Sequence, residues 1–511
     1  MWAVVLLALA VRLPGLDRPL LGYFSTKNVT YAMIARNWVE GRTSLWRPAM
    51  DCLVGGERGL HLLEFPVSAY LSGAAWRVCG GSLDAWGRFT SAAFSAGAVA
   101  LMFSLVRRWH GQAAAYGASL TLTLSPAAII FGQSFMLEAS LVFFTVASLW
   151  ALDRWLTSGR KGWLLTAAAS FSLLLLTKIY MLVLALPLAA FVWHALRVQG
   201  GLGARRVWLE FALAGTAAVL PAFAWYLDAW HVAAPEAATS ARVFYSIRRS
   251  ATVHHWPHPL LVSPDFYKRM LDDLSGSMFT PIGFALALIG MWGKAWRRHA
   301  GWLAASALLV AALPAKFYDL PYYELALLPA GCVMAGLGWK AVYERMQPSR
   351  LGMAALLGVV IAFSLRHAAK PAFTTPAEDR EVLTAAAALR AFAAAGEPVA
   401  TLHGASTDVL YYSGHPGWAF SINDRRLTEK LQAVRRQGAR WLAVADLPSA
   451  NASPVAREAL APLRLVREGR DFRIYELAPR TVKASRKTAS VLLNSPRRHG
   501  EHGVEEKQFR K

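Results

Sequence analysis

The chain is expected to fold as an α-helical polytopic membrane protein of about eleven transmembrane helices, carrying a small C-terminal α/β domain outside the membrane. Three observations predict this. Of the 511 residues, 55% are hydrophobic and 17% charged, a mixture too apolar for a water-soluble domain. The apolar residues gather in runs close to the ~20 residues that a helical bilayer crossing takes. From Pro376 the composition changes, and helical stretches alternate with short β-rich runs.

The apolar runs lie near 1–16, 88–107, 112–131, 137–153, 162–177, 179–196, 207–227, 278–293, 301–315, 322–340 and 350–366. The first lacks a basic start, and Arg12, Pro14 and Asp17 follow without a cleavage site, so it is read as a helix and not as a signal peptide. The loops between runs divide by charge. Arg107 and Arg108, Arg154 with Arg160 and Lys161, Arg197 with Arg205 and Arg206, Lys294 with Arg297 and Arg298, and Lys340 with Arg345 and Arg350 fall on one side of the helices. The positive-inside rule makes that side cytoplasmic. Segments 17–87, 132–136 and 228–277, the KFYDLP turn and everything from about 367 on are then external. A membrane domain over 1–366 and an α/β domain over 376–479 follow, the latter built from "EVLTAAAALRAFAAAGEPVATLH", "DVLYYSGHPGWAFSI", "RRLTEKLQAVRRQGARWLAVAD" and "FRIYEL". The basic, aperiodic stretch 480–511 is expected to be disordered.

The formal net charge of +22 does not point to nucleic acid, because the cations sit in short loops between apolar runs and not on one basic patch. Cys52, Cys79 and Cys332 lie far apart with no CxxC or His-rich partner, so neither a zinc site nor a disulfide framework is implied, although a Cys52–Cys79 bridge is open to an external loop. No internal repeat is present, which disfavours a transporter built of paired halves.

Four stretches carry a resemblance. "RLPGLDRPL" leading to "YAMIARNWVEG", then "LLEFPVSAYLSGAAWRVCGG", then "SPAAIIFGQSFMLEASLVFF", and last "LLLLTKIYMLVLALPL" stand in this order. Together they resemble the GT-C integral-membrane glycosyltransferases of the protein mannosyltransferase and lipid A aminoarabinose transferase type, glycosyltransferase family 39. "KFYDLPYYELALLPAG" is similar to the turn at the mouth of a late helix in that family. The resemblance implies the GT-C fold, a polyprenyl-phosphate-linked sugar as donor, and a lipid, glycan or protein acceptor in the cell envelope. It also implies an inner-membrane location with membrane lipids as surroundings.

Such an enzyme needs a carboxylate at the outer interface, to take the proton of an acceptor hydroxyl or to stabilise an oxocarbenium-like centre, and cations to hold the donor phosphate as charge develops on it. Aligned through "YAMIARN", Lys27 and Asn28 stand where the family has an acidic pair. The acid must then come from elsewhere, and motif position singles out Glu138 and Glu64 as catalytic candidates. Glu138 also has a plain reading as an acid at a helix N-terminus. Lys178, between two apolar runs at their outer ends, is a phosphate-binding candidate, because a cation at that depth is a functional hypothesis by default. Lys27 and Arg36 are further phosphate candidates, or interfacial cations reaching lipid head groups. Tyr322, Tyr323, Lys316, Asn28 and His255 are candidates for the sugar and acceptor site, though tyrosines at this depth also form ordinary aromatic belts. His254 and His255 are adjacent and point apart, which suits no shared metal. Besides active transfer, two other functions stay open: a homologue that has lost catalysis and serves as a binding or assembly subunit, and a lipid transporter.

Overall fold

The computed structural model describes residues 1–199, 204–235, 237, 242–251, 258–347, 349–376, 379–404 and 406–477. His254, His255 and the basic stretch 480–511 lie outside the described residues. The chain divides into two compact units, one of Met1–Met50 with Leu60–Thr375, the other of Asp51–Gly59 with the chain from Pro376 on. Residues 51–59, read from the sequence as part of the first external loop, group with the second unit.

The first unit is helical. It begins with α1 (Trp2–Ala10), α2 (Ser25–Val39), strand β1 (Ala49–Val54), strand β2 (Glu57–Leu62) and α3 (Val67–Cys79); the tip of that strand pair belongs to the second unit. There follow α4 (Leu83–His110), α5 (Gln112–Leu124), α6 (Pro126–Phe131), α7 (Glu138–Ser158), α8 (Lys161–Thr177), α9 (Ala185–Gln199) and α10 (Ala204–Val232). Strand β3 (Val243–Ser246), α11 (Ile247–Ala251), α12 (Pro264–Asp273), α13 (Thr280–Trp292), α14 (Ala300–Ala312), α15 (Pro314–Asp319), α16 (Leu328–Met346) and α17 (Arg350–Phe373) complete it.

Local chemistry sets these boundaries. Ser82 caps α4 by accepting from the Ala85 N–H at 3.4 Å, and Asp84 in its first turn with Arg107, Arg108 and His110 in its last complement the helix dipole. The run 112–131 is not one helix. Ser125 caps a new helix by accepting from Ala128 N at 3.1 Å, and Pro126 starts it, so α5 ends at Leu124. Arg12, fully buried, donates to the carbonyls of Ala8, Thr123 and Ala128, and its bond to Thr123 takes up an acceptor freed at this break. Run 179–196 begins as a 3-10 turn over Ile179–Leu184, and Tyr322 and Tyr323 lie on a 3-10 turn ahead of α16 and not inside a span.

Five described helices are long and apolar enough to cross a bilayer, or six if the bent pair Pro264–Met278 and Thr280–Trp292 counts as one. Helix α16 packs closely on α13 and α5 through glycines: a Cβ on Gly338 would come within 1.8 Å of the Leu286 carbonyl oxygen.

The second unit consists of helices around a mixed sheet. Strands β4 (Val399–Leu402), β5 (Gly417–Phe420) and β6 (Trp441–Ala445) are parallel, with β4 between the other two. Strands β7 (Arg464–Glu468) and β8 (Phe472–Glu476) add antiparallel beyond β6, and Cys52 pairs with Gly417 at the other edge. Leu402, Leu431, Leu442 and Val444 form part of its core. All three cysteines of the chain are free.

Candidate functional site

Helix α8 stops at Lys178, whose backbone turns to extended values (φ −152°, ψ 108°). The carbonyls left without helical partners there are taken up from outside. Phe65 N donates to Leu176 O at 3.0 Å, and the Tyr226 hydroxyl lies 3.2 Å from both Leu175 O and Leu176 O. The first of these bonds clips the segment after β2 to the end of α8. It sets Glu64 beside Lys178.

The result is a quartet of charges, three of them buried. Lys178 Nζ donates to Glu64 Oε1 at 2.5 Å and lies 3.7 Å from Glu138 Oε1; Lys27 Nζ lies 3.9 Å from Glu64 Oε1. Side-chain exposure is 3% for Lys178, 5% for Glu64 and 1% for Glu138, against 26% for Lys27. Lys27 is therefore the most exposed of the four. Its ammonium sits 4.2 Å from the centre of the Tyr322 ring, while Lys178 lies 5.8 Å and 5.9 Å from the rings of Tyr322 and Tyr323. Tyr180 stacks on Tyr323 with centroids 5.1 Å apart.

The two carboxylates differ in their surroundings. Burial alone would push the Glu64 carboxyl up, but Lys178, Lys27 and the hydrogen bond from His61 outweigh it and hold it well below the usual carboxylate range. Glu138 opens α7, and neither of its oxygens accepts a hydrogen bond among the described residues. Lys27 moves the other way from an ordinary lysine: burial, helped by the Lys178 charge, lowers its ammonium to about 8 against the pull of Glu64 and Glu138.

The structure thus brings together Glu64, Glu138, Lys178, Lys27, Tyr322 and Tyr323, and Lys316 is close enough to act on the Lys27 charge. It does not bring in Arg36. Nine residues along α2 is about two and a half turns, which puts Arg36 on the side of the helix opposite Lys27. Asn28 is buried with both ends of its amide engaged: Oδ1 accepts from Phe135 N at 2.6 Å and Nδ2 donates to Phe24 O at 2.9 Å. It fastens α2 to the turn that delivers Glu138.

Sequence reasoning missed His61, which lies 3.0 Å through Nε2 from Glu64 Oε2. It also missed Tyr31 and Tyr245, whose rings meet the His61 imidazole edge-on at 5.8 Å and 5.6 Å. The only trace of His61 in the sequence is an imidazole set among leucines three residues before Glu64.

The fold that carries this quartet is that of the GT-C membrane glycosyltransferases, as the motifs implied. The family model of dolichyl-phosphate-mannose-protein mannosyltransferases matches residues 64–225, the stretch that runs from Glu64 through Glu138 and Lys178. Among solved structures the chain is similar to ArnT from Cupriavidus metallidurans bound to undecaprenyl phosphate, at 15% identity and TM-score 0.64, covering 93% of this chain and 97% of that one. It is also similar to the Archaeoglobus fulgidus oligosaccharyltransferase, at 13% identity and TM-score 0.57, covering 89% and 70% of the two chains. Mycobacterial arabinofuranosyltransferase AftD shares the fold at 14% identity and TM-score 0.55, and there this chain spans 41% of the other. No curated protein matches by sequence.

Proposed function

We propose that this protein transfers a sugar from a polyprenyl-phosphate donor to a lipid, glycan or protein hydroxyl on the outer face of the inner membrane, with about eleven crossings and the C-terminal unit outside. The observation that carries this reading is the quartet itself: Lys178, Glu64 and Glu138 buried together with the partly exposed Lys27 beside them, and Lys178 3.7 Å from a Glu138 carboxylate that accepts no hydrogen bond among the described residues.

The residues divide the work. Lys178 and Lys27 bind the donor phosphate and stabilise it as the leaving group. Glu138 takes the proton from the acceptor hydroxyl while the hydroxyl oxygen bonds to the anomeric carbon and the carbon–oxygen bond to the phosphate breaks, releasing polyprenyl phosphate. Glu64, held as an anion by its neighbours, is a weak base and serves to seat the two ammonium groups. Tyr322 and Tyr323 offer ring faces to the sugar. An apolar cavity of about 470 Å³, lined by Phe171, Leu182, Leu188, Phe211, Val219 and Phe223 among others, gives the isoprenoid chain a path between α8, α9 and α10. ArnT and the archaeal enzyme AglB, which share the fold, have been crystallised or solved with undecaprenyl phosphate and a dolichol-phosphate, which supports this donor class.

The test is transfer of labelled sugar from a polyprenyl-phosphate donor in membranes containing the protein, with Glu138→Gln as control. Turnover in the parent and its loss in the variant supports the reading. One observation favours a second reading: Lys27 occupies the place of the family's acid and stands next to Glu64. If the parent binds polyprenyl phosphate but transfers no sugar from any donor of this class, the protein is a binding or assembly subunit.

A further inference from the structure

We propose that His61 is a positioning residue which, through Glu64, fixes the Lys178 ammonium where the donor phosphate docks. This rests on the phosphate-binding reading of Lys178 above.

The geometry points to this in three steps. Glu64 follows β2 on a bend, outside any strand or helix, so its backbone does little to fix its carboxylate plane, and the terminal torsion of a glutamate is broad. Lys178 holds only Oε1. A carboxylate held by one oxygen can swing that oxygen away, and with it the ammonium that follows it.

His61 closes that freedom by taking Oε2 at 3.0 Å. Because an ionised carboxylate only accepts, the proton of this bond is carried on His61 Nε2.

The imidazole is itself held by rigid parts. Residues Leu60–Leu62 pair in parallel with β3, His61 standing beside Tyr245 in the register, and the His61 N–H donates to Pro48 O at 2.8 Å. The ring is 3% exposed and is flanked by Tyr31 and Tyr245. A plain packing role would be served as well by phenylalanine; it would not need a ring nitrogen aimed at Oε2.

The test uses the full-length protein in detergent and undecaprenyl phosphate as the probe, with melting temperature measured in parallel. His61→Phe keeps the ring and loses the donor; His61→Asn has an amide that stops short of Glu64; His61→Gln places an amide N–H near the lost Nε2. The expected result is about a tenfold weaker dissociation constant, roughly one lost hydrogen bond to a charged group, for both His61→Phe and His61→Asn, and recovery to within about threefold in His61→Gln. Parent affinity in His61→Phe or in His61→Asn overturns the inference, as does a His61→Gln variant that falls with the other two. Should His61→Phe not fold, the Asn and Gln pair alone decides. Lys178→Ala separates the two levels: if it binds the lipid phosphate as the parent does, the phosphate seat itself is wrong. If it loses binding while the His61 variants keep it, only the role of His61 fails.

Discussion

Glu64 and Glu138 approach the same ammonium, that of Lys178, from different surroundings, and this difference separates their expected roles. Glu64 gives up both oxygens to cations or donors. Replacing it with Gln removes the ion-pair partner of the buried Lys178 ammonium and of the partly exposed Lys27, and breaking a buried ion pair costs about 3–5 kcal/mol. Glu64→Gln is therefore expected to melt at a clearly lower temperature and to bind polyprenyl phosphate more weakly. Glu138→Gln loses a base and the more distant of the two carboxylates near Lys178, at 3.7 Å, while Glu64 keeps its 2.5 Å bond to that ammonium. It is expected to keep its melting temperature and donor affinity while turnover falls about 10²- to 10⁴-fold. The reverse pattern would exchange the two roles. Lys27 adds a pH dependence. Its ammonium is lowered to about 8, so the charged form that attracts phosphate is present below that pH and is lost as pH rises through it. Because kcat/KM reports the free enzyme, it is expected to decline above about pH 8, and Lys27→Arg, which stays charged at all accessible pH, should remove the decline. A profile unchanged by Lys27→Arg would take Lys27 out of the donor site.

At the scale of elements, close helix approach is the feature most exposed to test. A Cβ on Gly338 would sit 1.8 Å from the carbonyl oxygen of Leu286, and one on Gly290 would sit 2.0 Å from that of Met334. Both contacts are with backbone, so α13 and α16 must part to admit a side chain. Gly338→Val is expected to destabilise the protein by at least about 1–3 kcal/mol, the usual range for overpacking, read as a lower melting temperature in detergent. Gly358→Val on α17, where an added Cβ meets nothing within 4 Å, should change it little. The apolar runs and their charged loops are legible in the sequence because each run reports its own hydrophobicity without regard to partners. Breaks inside runs are less so. The stop at Leu124 is written in Ser125 and Pro126, but an apolar window averages over them; the 3-10 start at Ile179 depends on carbonyls of α8 being taken by Phe65 and Tyr226, which no local pattern shows. The site divides in the same way. Glu138 and Lys178 stand at ends of apolar runs and can be found there, whereas His61 acquires its role only from the pairing of β2 with β3. Arg36 looked equivalent to Lys27 as a cation on one helix, and the helical repeat alone separates them.

At the scale of the whole molecule, the decisive quantity is the number of crossings between two points of the chain. After Arg160 the sequence offers seven runs before Pro376. Three of the corresponding helices, Ile179–Arg197, Arg205–Val232 and Leu351–Phe373, are long and apolar enough to cross unaided. Helices α13 and α14 have 13 residues each, about 20 Å at 1.5 Å per residue, against a hydrocarbon core of about 30 Å. A crossing by either needs flanking residues as well, and the segment before α13, Pro264–Met278, is bent 109° from it. If the two instead dip into the membrane and return as a pair, the count falls by two and its parity is unchanged. Reporters after Arg160 and after Pro376 are thus expected on opposite sides in either case, the first cytoplasmic and the second external, as the loop charges require. A third reporter, after His299 between α13 and α14, distinguishes the cases. The basic run Lys294–His299 predicts a cytoplasmic position, which demands that both helices cross. An external signal there, with the other two as expected, would make α13 and α14 a re-entrant pair; both outer reporters on one side would overturn the crossing count, and an external signal after Arg160 would put Glu138 and Lys178, one crossing away, on the cytoplasmic face.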